Sequence, residues 1–97
     1  MFDMAKLKKL DEGSSQAMKA FWAFDKAVFQ EGAVSGLNKQ LMAVAVALTT
    51  QCPYCIEIHT QEARKVGATD AQLAETAVVA AAIRAGGAIT HATHLFG

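Results

Sequence analysis

Apolar residues recur along most of this chain at spacings of three and four, the period of an α-helix that buries one face. Met4, Leu7 and Leu10 step through a short opening segment, Met1 to Glu12, which closes at Gly13 and predicts a short helix. After Ser14, a favoured helix-capping residue, Met18, Phe21, Trp22, Val28 and Phe29 trace one face of a second helix. Ala17, Ala20, Phe24 and Ala27 trace a neighbouring face, up to Gly32. A third helix is expected after Asn38, with Asn38 as cap and Leu37 and Met42 as a hydrophobic staple. It runs through the apolar stretch Leu41 to Leu48, which reads as fully buried.

Punctuation residues set the remaining boundaries. Proline suits the first position of a helix and pushes the residue before it into extended geometry, so Cys52-Pro53 marks the start of a fourth helix. Arg64 and Lys65 favour its negative end, and Gly67 stops it. Thr69 with Gln72 forms a capping box for a fifth helix, Asp70 to about Ala85, which Gly86-Gly87 ends or kinks. A last short helix is expected over Ile89 to Phe96. No repeat, linker or low-complexity tract interrupts the pattern. The expected fold is therefore all-α: a single-domain helical bundle of five to six helices over residues 1–97.

Several of these helices carry more than one apolar stripe, and hydrophobic residues make up 53% of 97 residues. A chain this short has interior for one core and cannot cover every stripe, so a homo-oligomer is expected. Nine basic and nine acidic side chains balance to zero and lie scattered. That distribution excludes the basic patch on which binding to a phosphate backbone depends, and nucleic acid is not an expected partner. Asp3 stands where a signal peptide carries positive charge, and the apolar runs Leu41 to Leu48 and Thr76 to Ile83 are short of the ~20 residues of a spanning helix. A cytoplasmic location and no membrane partner are the expectations. Two cysteines are too few for a disulfide scaffold and stay reduced in such a compartment unless they cycle through a reaction.

The candidate chemistry lies in Gln51-Cys52-Pro53-Tyr54-Cys55-Ile56-Glu57-Ile58-His59. Two thiols stand three residues apart, with an imidazole four residues beyond the second, and on a helix these positions share one face. A thiol attacks as its thiolate, which the unpaired amides and positive dipole end of a first helical turn stabilise, and His59 is placed to take up a proton. The second cysteine gives the first an internal partner with which to form a disulfide. These considerations do not choose between the thiols, because Cys52 at the cap also has a claim to a low pKa. Two other readings compete. In one, Cys52 and Cys55 are small buried hydrophobes and His59 a packed or solvated histidine. In the other, Cys52, Cys55 and His59 hold zinc together with His91 or His94, although three ligands from one rigid helix fit a tetrahedral site poorly. No motif supports a flavin or nicotinamide cofactor, and neither a cofactor nor a metal is expected.

The run Lys39 to Leu48, followed by Cys52-Pro53-Tyr54-Cys55, His59 and Gly67-Ala68-Thr69, resembles the core of the alkylhydroperoxidase D and carboxymuconolactone decarboxylase family. The resemblance covers about Leu37 to His94. It implies an all-α protein assembled as a homotrimer or homohexamer. It also implies a thiol-dependent peroxidase or disulfide reductase, with a small hydroperoxide or disulfide as substrate and an external dithiol as electron donor. Cys55 matches the family's peroxide-attacking cysteine, Cys52 its resolving partner, and His59 the histidine that relays the proton. The relay glutamate would fall twelve residues before Cys52, where this chain has Gln40, and Tyr54 stands where the best-known members carry a second histidine. Glu62, one turn beyond His59, is a candidate to orient it, or else a solvated surface acid. The decarboxylase branch generally lacks the cysteine pair. A lyase using His59 as acid or base, and a helical assembly without catalysis, are the alternative functions.

Overall fold

The computed structural model describes residues 3–97. Met1 and Phe2, which open the expected leading helix, lie outside the described residues. All secondary structure among the described residues is helical: α1 (Lys8–Gly13), α2 (Ser15–Val28), α3 (Gly36–Thr50), α4 (Pro53–Lys65) and α5 (Asp70–His91), with single turns of 3-10 helix at Met4–Leu7 and Ala92–Leu95. The chain divides into two compact units, one ending at Ser35 and the other running from Gly36 to Gly97.

In the first unit α1 packs against α2, and the Trp22 indole N–H donates to the Asp11 carboxylate at 2.9 Å. Phe21 meets Trp22 edge to face, with ring centroids 4.9 Å apart. None of its described residues is buried, and Phe24 remains 66% exposed. Ser14 precedes α2 as expected, yet its side chain makes no capping bond; its amide instead closes α1 on the Leu10 carbonyl at 2.8 Å.

In the second unit α3 lies against both α4 and α5. The buried residues are small, Val44, Ala47, Ala63, Ala68 and Ala80, and short side chains at these points let the three helix backbones approach closely. The third helix begins at Gly36, two residues before the expected cap, so Asn38 lies inside the first turn and the Leu37–Met42 staple loses its register. Ser35, another favoured cap type, immediately precedes it. Nor is the Leu41 to Leu48 stretch buried throughout: only Val44 and Ala47 are, while Met42 and Val46 face outwards at 56% and 60% exposure.

The larger departure is at the end of α5. Gly86-Gly87 does not end it, and Ile89 to His91, expected in a separate helix, complete its last turn. Glycine in a helix interior costs about 1 kcal/mol relative to alanine, which a long alanine-rich helix absorbs. The Thr90 hydroxyl donates back to the Gly86 and Gly87 carbonyls at 3.0 and 3.1 Å, holding this turn together. Extended in this way, Asp70–Leu95 is long and apolar enough, by length and composition alone, to cross a bilayer. The shorter run read from the sequence did not show this.

Candidate active site

Two helix ends meet at the thiols. At the C-terminus of α3, Gln51 adopts a left-handed conformation with φ 55°, and the Cys52 amide turns back to the Ala47 carbonyl at 3.1 Å. This is the five-residue closing bond of a Schellman motif, with glutamine at the position glycine usually holds. The same motif ends α4, where Gly67 has φ 102° and the Ala68 amide reaches the Ala63 carbonyl at 2.9 Å. Arg84 of α5 donates to the Thr49 carbonyl, tying off another acceptor in the last turn of α3.

Cys52 therefore closes one helix with its amide and opens the next with its side chain. Its backbone is extended, its carbonyl accepts the Ile56 amide at 3.0 Å, and its Sγ accepts the Cys55 amide at 3.3 Å. Pro53 contributes no N–H, so the first turn directs its two remaining amide donors, those of Tyr54 and Cys55, at this one sulfur. These amides and the adjacent Cys55 thiol hold the Cys52 thiol below the usual range, with the Cys55 thiol the largest influence. The partner moves the opposite way: Cys55 is pushed up, first by its hydrogen bond to Cys52, then by partial burial and the adjacent negative charge. Both cysteines are free thiols and half-buried.

His59 lies one turn beyond Cys55 on α4, and its Nδ1 sits 2.8 Å from Oε1 of Gln40 on α3. With the amide oxygen as acceptor, Nδ1 carries the proton and Nε2 is the basic nitrogen of the neutral ring. Cys52, Cys55 and His59 thus stand at the cap and on the first two turns of α4, with Gln40 of α3 against the imidazole. Glu62 does not join them. Its carboxylate accepts Lys65 at 3.1 Å on the exposed side of α4, the solvated role weighed from the sequence.

His91 and His94 are likewise elsewhere, at the end of α5 and in the turn after it. Their rings stand 5.7 Å apart, and His91 Nδ1 lies 2.8 Å from the Gly87 carbonyl. Among the described residues no group of three or more His, Cys, Asp and Glu side chains stands where one metal ion could be held, so the four-ligand zinc arrangement is not assembled. An open groove of about 400 Å³ runs between α3 and α5, lined by Leu41, Met42, Ala45 and Thr76 among others, but neither cysteine nor His59 lines it.

Two features of the site had little or no signal in the sequence. Gln51 carries none, because glutamine does not announce a left-handed turn. Arg84 carries a faint one, as a lone cation in an otherwise apolar run.

Residues 15–96 match the carboxymuconolactone decarboxylase family. This chain belongs to that family. Two relatives are "uncharacterized protein 4 in cox locus" of Paracoccus denitrificans, 55% identical over 75% of this chain, and an uncharacterized protein of Cupriavidus necator, 40% identical over 80%. The aligned stretches take up 66% and 67% of those proteins, so the chain spans about two-thirds of the curated relatives it matches. Among solved structures, a carboxymuconolactone decarboxylase family protein from Legionella pneumophila superposes with a TM-score of 0.78 at 33% identity, covering 81% of this chain and 70% of that one. A protein from Methanobacterium thermoautotrophicum superposes at 0.84 and 37% identity, covering 89% and 97%. The family's all-helical fold is thus the fold of this chain.

Proposed function

We propose that this member of the family is a thiol-dependent oxidoreductase that reduces small hydroperoxides or disulfides through the Cys52/Cys55 pair, with His59 moving the proton. The observation that carries the reading is the capping sulfur of Cys52, hydrogen-bonded by the amide of a second free cysteine one turn along the same helix. A thiolate is the reactive form, and a neighbouring thiol turns its oxidised product into a disulfide rather than leaving a sulfenic acid exposed to further oxidation. In the peroxide reaction the dithiol and ROOH give the disulfide, ROH and water. An external dithiol then supplies two electrons and two protons to restore the pair. Membership of the family does not specify this activity, since its name describes a decarboxylase; the cysteine pair is what favours redox chemistry.

The exposed apolar residues of α5, Val78, Val79, Ile83 and Ile89, support a homotrimer or homohexamer in which copies cover one another.

The test is to mix the reduced protein with a small excess of an alkyl hydroperoxide and follow both partners. One peroxide consumed per chain, with loss of two hydrogens in the peptide bearing both cysteines and recovery by a dithiol, is expected. Persistent free thiols beside unchanged peroxide, tested also against a small disulfide, would refute the reading. Lactone-decarboxylating activity that survives Cys55→Ser would point instead to a lyase built on His59.

A further inference from the structure

Within the redox reading proposed above, on which it rests, we infer that Arg84 and the groove it borders form a carboxylate subsite, and that the substrates of this site are small organic hydroperoxides or disulfides bearing an acid group. The groove follows from the sequence of α5. Ala77, Ala80, Ala81 and Arg84 recur at spacings of three and four and so share one face, which meets Leu48 and Thr49 of α3. Alanine at the first three of these positions leaves space that longer side chains would fill. The result is an open groove of about 390 Å³ in which Arg84 is the charged residue of an otherwise small or apolar lining. A cavity of this size suits a small organic molecule.

The setting of Arg84 fits it to an anion. Its Nη1 donates to the Thr49 carbonyl, which holds the head of a long, exposed side chain in place. Closing a helix end uses one donor, and the rest of the planar guanidinium fork is left to match the two oxygens of a carboxylate. The ion pairs among the described residues are Arg64 with Asp70 and Lys65 with Glu62, so no carboxylate of those residues occupies the fork. The same contact ties the groove to the thiols. Thr49 lies inside the loop that the Cys52 amide closes on the Ala47 carbonyl at 3.1 Å. The short chain from Thr49 to Cys52 keeps their Cα atoms within about 11 Å of each other. An acid group held at Arg84 is thereby placed one small molecule's length from the cysteine turn.

A matched pair of substrates tests the subsite: cumene hydroperoxide and its para-carboxylate, which differ only in the acid group. With a dithiol as reductant, kcat/KM for the carboxylate form should exceed that for the neutral form about tenfold, and in Arg84→Gln this ratio should fall to near one, a change of about 1.4 kcal/mol. Glutamine can still donate to the Thr49 carbonyl. Arg84→Lys, which keeps the charge without the fork, should lie between. Because the ratio is taken within each variant, a loss shared by both substrates, as a purely structural arginine would give, leaves it unchanged and overturns the inference. A wild-type ratio near one does the same. The second arm uses no peroxide: 4-isopropylbenzoate should slow alkylation of the cysteines by iodoacetamide in the wild-type chain, an effect that 4-isopropylbenzamide lacks and Arg84→Gln abolishes. If neither hydroperoxide nor a small disulfide is consumed, the redox reading fails and this protection decides the rest. Its presence keeps the carboxylate site without the substrate class, and its absence removes the site as well.

Discussion

Gln51 offers a prediction whose sign can be worked from one dihedral angle. Its φ of 55° lies in the left-handed region, where an L-residue other than glycine crowds its own Cβ against the backbone at a cost of about 1–2 kcal/mol. The Schellman bond from the Cys52 amide to the Ala47 carbonyl keeps it there. Glycine at this position would relieve the strain, while the extra freedom it gives the unfolded chain would return ~0.4–1 kcal/mol. The net gain for Gln51→Gly is therefore about 0.5–1 kcal/mol. For a domain of this size it should raise the melting temperature by roughly 2–8 °C. Circular dichroism at 222 nm, by thermal and urea unfolding at a fixed protein concentration, measures it. Gln51→Val provides the opposite arm, because a β-branched residue tolerates this conformation least. It should lower stability by ~1 kcal/mol or more. A glycine variant no more stable than the parent, or a valine variant no less stable, would refute the argument that the turn before Cys52 is strained.

Other predictions concern the chemistry and the assembly. Because Cys52 is held below the usual thiol range, its alkylation rate should stay high as pH falls below the ordinary value of ~8.5 and drop only through its own lower pKa. Cys55→Ala, which removes the largest lowering influence, should move that midpoint up, and an unmoved profile would count against the hydrogen-bond account. Gln40→Glu places a carboxylate on His59 Nδ1 and should raise hydroperoxide turnover about tenfold in a steady-state assay, a part of the ~10²- to 10⁴-fold that acid–base assistance commonly supplies. Glu62→Gln, which breaks only the pair with Lys65, should leave turnover unchanged; its loss would move the relay to α4. Light scattering should report a homotrimer or larger, and Ile83→Glu, on the exposed face of α5, should reduce that mass; a monomer mass for the parent at low micromolar concentration would sink the oligomer.

The reactive turn was the most legible part of the sequence because its signals are local. Cysteine before proline at a helix start, histidine seven residues on and the Thr69/Gln72 box depend on chemistry within a few residues, and Thr69 accepts the Gln72 amide at 3.1 Å as that pattern implies. The pairing of Gln40 with His59 was legible only through family resemblance, since nothing in either residue points nineteen positions along the chain. Boundaries governed by cooperativity were misjudged. Asn38 lies inside α3 because the helix recruits an earlier start at Gly36, and two glycines pass through α5 because the turns on both sides hold them. Burial was overestimated for a related reason: periodicity marks which side of a helix is apolar, while the amount covered depends on neighbours, and α3 covers Val44 and Ala47 but not Val46.

The single left-handed residue between α3 and Cys52 leaves no slack in the chain from Gln40 to His59. Each residue inserted into or removed from either helix over that stretch rotates everything beyond it by about 100° about the helix axis. One such change would carry the amide away from the imidazole, or the imidazole away from the thiols. Length in this stretch is thus a geometric constraint in its own right, independent of which side chains occupy it. Relatives that keep the pair should preserve the spacing of nineteen while varying freely in length before Gly36.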